Sequence, residues 1–389
     1  MKKIINRFIV LFCLLLMICM CKKERIMADD VIEYGEGDIN EPIPIEFEAA
    51  NNSEKMYKII NLEKIDGIYY KDKKEKARKY SAVIQASYIS SNYIFFVRCV
   101  NSNAYLFRCK LPDKGNIIDA KNAEKMTLVG FGHTQTLEVY KYENEWYVLI
   151  GCKGVMDEMD KDKYENGALD VFAWSTQICR IKFEKDKEIR YTTCSRLSGM
   201  NYIGGLGNIG TVRRVEAAMS TNNKYMLLWT RTYAIKNGKR HSYKTRFAIY
   251  NAKKINDAWN NAKEGTALSC DSKEIKEALV ETGFQYDSGK YNLRVGSNQG
   301  LEISNSKEIY ICSEEMANKQ SKGTYIYKID NKGKELVCYE FKGDKLGKGA
   351  EKELEGLQIK AAKLWFIAKD YSQPNNIHYV YRIDPGIIK

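Results

Sequence analysis

The sequence predicts an all-β fold, a single-domain β-propeller with five blades, closed by an N-terminal strand. Three observations lead there. A pair of apolar runs recurs five times along the chain, always in the same order, across irregular gaps. The first run of each pair is apolar at nearly every position, so both faces of that strand must be covered. Long helical periodicity is almost absent, and 27 Tyr and 13 Phe stand against 5 Pro. Such a composition suits pleated, half-buried strands.

Residues 1–25 read as a signal peptide or lipoprotein leader. Lys2, Lys3 and Arg7 precede an apolar run from Phe8 to Cys21, and charges follow. The run is shorter than the roughly 20 residues that span a bilayer. Cys19 and Cys21 are candidate lipidation sites, although neither follows the small residue usual before a lipidated cysteine. A plain signal and an uncleaved anchor stay open beside lipidation. Residues 26–54, polar and acidic with Pro42 and Pro44, read as a tether. Residues 55–389 form the propeller domain, and the protein is expected to be secreted or attached to the outer face of the cell membrane.

The first runs are Tyr93 to Val97, Trp146 to Ile150, Tyr225 to Trp229, Ile309 to Cys312 and Leu364 to Ala368. Each is followed by a run mixing aromatic or Cys, basic and aliphatic residues: Phe107 to Leu111, Ile178 to Ile181, Phe247 to Tyr250, Tyr327 to Asp330 and Tyr381 to Asp384. A short strand with one amide or carboxylate precedes each copy by about eight residues, which places Gln85, Glu138, Glu216, Glu302 and Gln358 at matching positions. Two helical pieces interrupt the pattern, Ile255 to Ala262 and Asp271 to Glu281, the second with an Ile275 and Leu279 stripe. The last copy has three strands, while Met56 to Ile60 and Ile68 to Tyr70 are strands without a blade. An N-terminal strand completing the last blade closes the ring and removes its open edge.

In a propeller the innermost strands line the channel. Gln85, Glu138, Glu216, Glu302 and Gln358 then make a polar ring that can bind a cation through oxygens or hydrogen-bond a glycan. The plainer reading has these side chains capping backbone groups or meeting channel water. Three carboxylates near one another repel, which predicts raised pKa values or a counter-ion. Carboxylates across a cleft also permit glycoside hydrolysis, a minority reading because nothing selects an acid and a base. His133, Thr134 and Gln135 belong to the densest polar stretch beside an inner strand and join the ring as ligand-binding candidates. A lone His there is more often a structural hydrogen-bonder, and no nucleophile can be paired with it.

Composition excludes other classes. Three His are too few for a His-rich metal centre, and no metal site is expected. Eight cysteines lie beyond the leader without a CxxC pair, so they read as small buried hydrophobes before a disulfide framework. Gly205 to Gly210 has the GxGxxG spacing but leads into a strand, so a phosphate would lack its helix N-terminus. Gly343 to Lys348 is one residue short of a P-loop and lacks the Ser/Thr. The formal charge is +12, and the first 20 residues hold three of the positive charges, leaving 59 basic against 50 acidic residues, a net of +9. Basic and acidic residues are interleaved, as in Lys71 to Lys79, which is a solvated surface and no nucleic-acid groove. The expected partner is a bacterial envelope: anionic wall polymer, glycan or lipid head groups. The oligomeric state is not legible.

The stretch Gly132-His133-Thr134-Gln135-Thr136-Leu137-Glu138, the run Trp146 to Gly151 leading into Cys152 and Lys153, and Gln177-Ile178-Cys179-Arg180-Ile181 resemble the helveticin J family of class III bacteriocins. Weaker matches follow in the family's order at Tyr80 to Gln85, Val215 to Ala218, Ser297 to Gly300 and Glu355 to Ile359. Leu137 replaces the family's Trp, and Arg213-Arg214 stand where the family has a His before Val215. The resemblance implies an antibacterial protein that kills related bacteria without a cofactor and without established catalytic residues. A leader-bearing copy retained on its producer would instead suit adhesion or glycan binding.

Overall fold

The computed structural model describes residues 54–64, 69–71, 77–79, 83–100, 102–156, 173–236, 239–241, 244–287, 295, 298–315, 322–341, 352–370 and 377–384. The leader with Cys19 and Cys21, the tether up to residue 53, Ser297 and the Gly343 to Lys348 stretch lie outside them.

Five antiparallel sheets follow one another as blades. From channel to rim, blade 1 is Ile84–Ile89, Tyr93–Val100, Asn103–Lys110 and Glu124–Val129. Blade 2 is Leu137–Tyr142, Glu145–Val155, Trp174–Ile181 and Ser195–Ser198. Blade 3 is Thr211–Met219, Tyr225–Lys236, Lys244–Asn251 and Leu279–Glu281. Blade 4 is Gly300–Ile303, Ile309–Glu315, Lys322–Ile329 and Glu335–Phe341. Blade 5 takes Lys352–Lys360, Lys363–Asp370 and His378–Ile383 from the end of the chain and Glu54–Ile60 from its start. Lys58 lies opposite Tyr379 across that seam. The expected N-terminal closure is therefore present.

The second strands are buried on both sides because each lies between neighbouring blades. Ile94, Phe96, Leu149, Ile150, Met226, Leu228 and Ile367 are all fully or almost fully inaccessible. The core divides into five apolar clusters, one for each junction between successive blades, the fifth joining blade 5 back to blade 1. At that junction the Ile84 N–H donates to His378 Nε2 over 3.2 Å.

Three blades carry a fifth, parallel strand on the rim. Ile117–Asp119 pairs with Glu54–Ile60, Glu188–Arg190 with Glu124–Val129, and Ala267–Ser269 with Ser195–Ser198. Each comes from the connection just before the outer strand of the next blade. The outer edge, the place where a sheet is open to wrong pairing, is thus covered by the neighbouring blade.

The first helical piece is α1, Ala252–Asn261, started by Asn251, whose side-chain oxygen accepts from the Lys254 N–H over 3.0 Å. The second expectation needs correction: only Lys273–Lys276 is helical, a short α2. Leu279 instead pairs with Tyr250 in the outer strand of blade 3, so edge pairing of that sheet overrides the helical stripe. The second unassigned N-terminal strand also differs. Tyr69–Lys71 pairs with Ala77–Lys79 as a separate hairpin outside the blades. All eight described cysteines are buried, and none of them is in a disulfide.

Candidate functional site

The inner strands have one edge paired and one edge on the channel, so their channel-side N–H groups need acceptors from elsewhere. Three of the sequence-selected side chains supply them. Gln358 Oε1 accepts from the Ile89 N–H over 2.8 Å while its Nε2 donates to the Ile89 carbonyl over 3.1 Å. Glu302 Oε2 accepts from the Ile359 N–H over 2.9 Å. Glu138 accepts from the Met219 N–H. Each side chain thereby ties its inner strand to that of the next blade.

Because Ile359 directly follows Gln358, the matching positions before Ile89 and Met219 are Tyr88 and Ala218. The structural ring is Tyr88, Glu138, Ala218, Glu302 and Gln358. Ala218 cannot reach across to blade 4, and the N–H it would meet there, that of Ile303, is taken by Glu302 Oε1 over 2.7 Å. The five sequence-selected anchors therefore do not occupy one level. Gln85 lies at a register shift between Ile84 and Ala86, three residues before Tyr88, and Glu216 stands two residues before Ala218.

Tyr88, Glu138, Glu302 and Gln358 form the floor of a cavity of about 270 Å³ at the hairpin end of the channel. Its rim includes Ser91, Trp146, Asn223 and Lys360. Burial raises the Glu302 carboxyl to about 8 against the pull of its two N–H partners. Burial and the neighbouring Glu302 raise Glu138 as well. For Glu138 the Glu302 carboxylate is thus the second cause, after burial. Among the described residues no group of His, Cys, Asp and Glu is arranged to hold a metal ion.

Glu216 belongs to a different constellation, built around Gln135. The Gly132 to Thr136 segment crosses from blade 1 to blade 2. Gly132 has φ +83°, and a Cβ there would lie 2.4 Å from the Gly154 Cα, so only glycine allows these two backbones to touch. Thr134 is buried, and its Oγ1 accepts from the N–H groups of Thr136 and Gly151 at 3.0 and 3.2 Å. Thr136 Oγ1 donates to Glu216 Oε2 over 2.6 Å and accepts from the Ala217 N–H over 2.8 Å. Gln135 reaches furthest: its Nε2 donates to Glu355 Oε2 over 2.6 Å and to Gln299 Oε1. One side chain from blade 2 therefore meets blades 4 and 5.

Arg214 completes this hub. Its Nε pairs with Glu216 Oε1 at 2.8 Å, and its Nη2 donates to Gln135 Oε1 and to the Asn298 carbonyl, the latter over 2.6 Å. Its guanidinium lies 4.0 Å from the Trp174 ring centroid. Burial lowers its pKa, opposed by Glu216. His133 packs against Trp174 in a tilted contact, with ring centroids 4.2 Å apart. Burial first, then the Arg214 charge, lowers His133 to about 3. Its ring is held in the neutral form and is a weak proton acceptor.

Sequence reasoning thus finds Gln135, Thr134, His133 and Glu216 but misses Arg214, Glu355 and Gln299. Gln299 and Glu355 stand inside stretches already quoted for their order along the chain, and Arg214 immediately precedes one. For two of them the signal is charge: Arg214 two residues before the strand carboxylate Glu216, and Glu355 three residues before Gln358.

Residues 53–384 match the family described as bacteriocin helveticin-J. No curated protein is matched. Among solved structures, a tail fibre of a Staphylococcus aureus phage is 13% identical with a TM-score of 0.45, over 87% of this chain and 54% of that one. This chain thus spans about half the length of the fibre. A mannose phosphorylase from Leishmania mexicana is 9% identical with a TM-score of 0.42, over 85% and 89%. A glycoside hydrolase described as putative from Bacteroides ovatus is 9% identical with a TM-score of 0.39, over 88% and 96%. At such identities the likenesses concern the fold alone.

Proposed function

The chain belongs to the bacteriocin helveticin-J family, and from that membership we propose that it is an exported antibacterial protein acting on the envelope of related bacteria by binding and not by catalysis. The observation that carries the non-catalytic part is the engagement of the channel carboxylates. Glu138 and Glu302 accept backbone N–H groups, Glu216 holds Arg214, and Glu355 accepts from Gln135. A general acid and base must reach a reacting group, and these groups serve to join blades. His133, buried and of lowered basicity, is poorly suited to act as the base.

The surface supports an envelope partner. Without its first 20 residues the chain carries +9, and interleaved charges favour a weak, salt-sensitive attraction to anionic wall polymer or head groups. The test is to add the purified protein to related Gram-positive cells and follow viability and dye entry. Loss of viability without release of reducing sugar ends from wall material is the expected result. No killing at any dose sinks the antibacterial reading, and sugar release abolished by Glu302→Gln would establish hydrolysis instead.

A second reading has one observation in its favour, the open cavity at the hairpin end of the channel. In that reading the protein stays on its producer as a lipoprotein, anchored through Cys19 or Cys21, and binds glycan or wall polymer. Incorporation of labelled fatty acid that disappears in Cys19→Ala or Cys21→Ala would support it; absence of label in the intact chain would remove it.

A further inference from the structure

We propose that the hairpin-end mouth of the channel is a carbohydrate site, with Trp146 as a stacking platform for one neutral pyranose ring of a wall glycan. The proposal deepens the envelope-binding reading by naming the site and the ligand class, and it rests on that reading for its biological setting.

Trp146 opens the argument. It is the second residue of the second strand of blade 2, in which Val148, Leu149 and Ile150 are completely or almost completely inaccessible. Trp146 is instead 60% exposed, more than Tyr93, Ile117 or any other large apolar side chain that stands out on the described surface. Trp side chains are highly buried on average. An indole left in water at the edge of a cavity is a feature of binding surfaces, where its flat face covers an apolar partner and its N–H meets a polar one.

The cavity beside it has the right size and chemistry. At about 270 Å³ it lies just below the range of roughly 300–1,000 Å³ that holds drug-sized ligands, so one sugar ring fits and a folded oligosaccharide does not. A pyranose has a C–H face that stacks on an aromatic ring and hydroxyl groups around its edge that both donate and accept. The mouth matches both parts. Ser91 and Asn223 are exposed at the rim. Lys360 is held there by its Nζ donating to the Ser90 carbonyl over 2.6 Å. The floor offers carboxyl oxygens of Glu138 and Glu302 and the Tyr88 phenol.

The floor also selects against charge. The burial that keeps the Glu138 and Glu302 carboxyls protonated penalises an anionic repeat unit seated on that floor in the same way. A neutral hexose or N-acetylhexosamine meets no such penalty. Anionic polymer is therefore left to the outer surface of the protein, and the mouth takes the uncharged sugar.

The test titrates the purified full chain with methyl glucoside, methyl galactoside, N-acetylglucosamine and its tetramer, and with a ribitol-phosphate teichoic acid. Indole fluorescence and ligand-observed NMR report binding. At least one neutral sugar is expected to bind, and Trp146→Ala is expected to weaken it at least about tenfold while Trp146→Phe retains part of the affinity. Because Trp146 is exposed, Trp146→Ala should melt with the parent protein; Asn223→Ala is the second variant should it not. Equal affinity in the variants, no neutral sugar bound, or displacement of bound sugar by teichoic acid alone would each overturn the proposal. Killing assays on the same variants separate the two readings. A parent protein that binds sugar through Trp146 but does not kill defeats only the antibacterial reading, and one that kills as well with Trp146→Ala defeats only the carbohydrate site.

Discussion

At the scale of single residues the channel is governed by groups whose charges are costly to bury. Glu302 ionises in the unfolded chain near its ordinary 4.5 but in the folded protein only near 8. The native state therefore holds more protons than the unfolded state across that interval, and stability must fall as pH rises through it. The contribution is complete below about 4.5 and gone above about 8. The melting temperature is expected to drop between pH 5 and 8.5 by an amount that Glu302→Gln reduces, since the amide keeps an acceptor for the Ile359 N–H and cannot ionise. Glu138 titrates in the same direction, so the slope flattens fully only when Glu138→Gln is added. An unchanged slope in the double variant would show that the mouth carboxyls do not control it. Arg214 gives the opposite case. It compensates Glu216, which is 1% exposed, and removing one partner of a buried pair typically costs about 3–5 kcal/mol. Urea unfolding of Arg214→Met should show a loss of that order, and Glu216→Gln in the same chain should restore part of it.

At the scale of elements, what was legible and what was not have one physical cause. A strand buried between two blades must be apolar throughout, and that constraint wrote five unmistakable runs into the chain. The inner strands bear no such constraint, because one edge and one end meet the channel. Their register depends on hairpin length: Tyr88 lies opposite Phe95, Ala218 opposite Leu227, Gln358 opposite Trp365, but Glu138 opposite Leu149. Searching about eight residues before the apolar run for an amide or carboxylate thus reaches Glu138, Glu302 and Gln358, but passes to Gln85 and Glu216 in blades 1 and 3, where the ring level holds Tyr88 and Ala218. Gln85 itself sits at a register shift, and Arg213 and Gly356 sit at similar ones in blades 3 and 5. The hub around Gln135 was half legible for a related reason: its polar stretch is contiguous, but its partners Arg214, Gln299 and Glu355 come from three other places. The cysteines illustrate the reverse, a feature fully set by the strands that carry them. Burial pushes the Cys99, Cys109 and Cys270 thiols up to about 12, so these should not react with a disulfide reagent until urea unfolds the chain. Cys194 is lowered, chiefly by its contact with Cys179, and is expected to be the first of the eight to react. Fast reaction of Cys99 in the native protein would contradict its placement in the apolar cluster between blades 1 and 2.

At the scale of the whole molecule the ring stands or falls at one seam. Glu54–Ile60 is held on one side by His378–Ile383 and on the other by Ile117–Asp119, so seven residues from the start of the propeller join the last blade to the first. Ile59 is fully inaccessible there, within the same apolar cluster as Phe96, Phe107, Trp365 and Val380. Losing a buried Ile side chain alone costs about 2–5 kcal/mol, comparable to a sizeable part of the roughly 5–15 kcal/mol by which domains are stable. Removing the whole strand would also bare two strand edges that can pair with other chains. A chain beginning at residue 61 is therefore expected to lose the single thermal transition of the intact ring and to associate. A synthetic peptide of residues 53–61 should restore the transition in a concentration-dependent manner, because binding to the folded state alone stabilises it by mass action. Tryptophans in different blades, Trp229 in blade 3 and Trp365 in blade 5, report the same melt only if the blades unfold as one. A truncated chain that melts like the intact one would mean that each blade carries its own stability and that closure of the ring contributes nothing. The continuous series of five junction clusters argues for the first outcome, since no blade owns a core that it does not share with its neighbours.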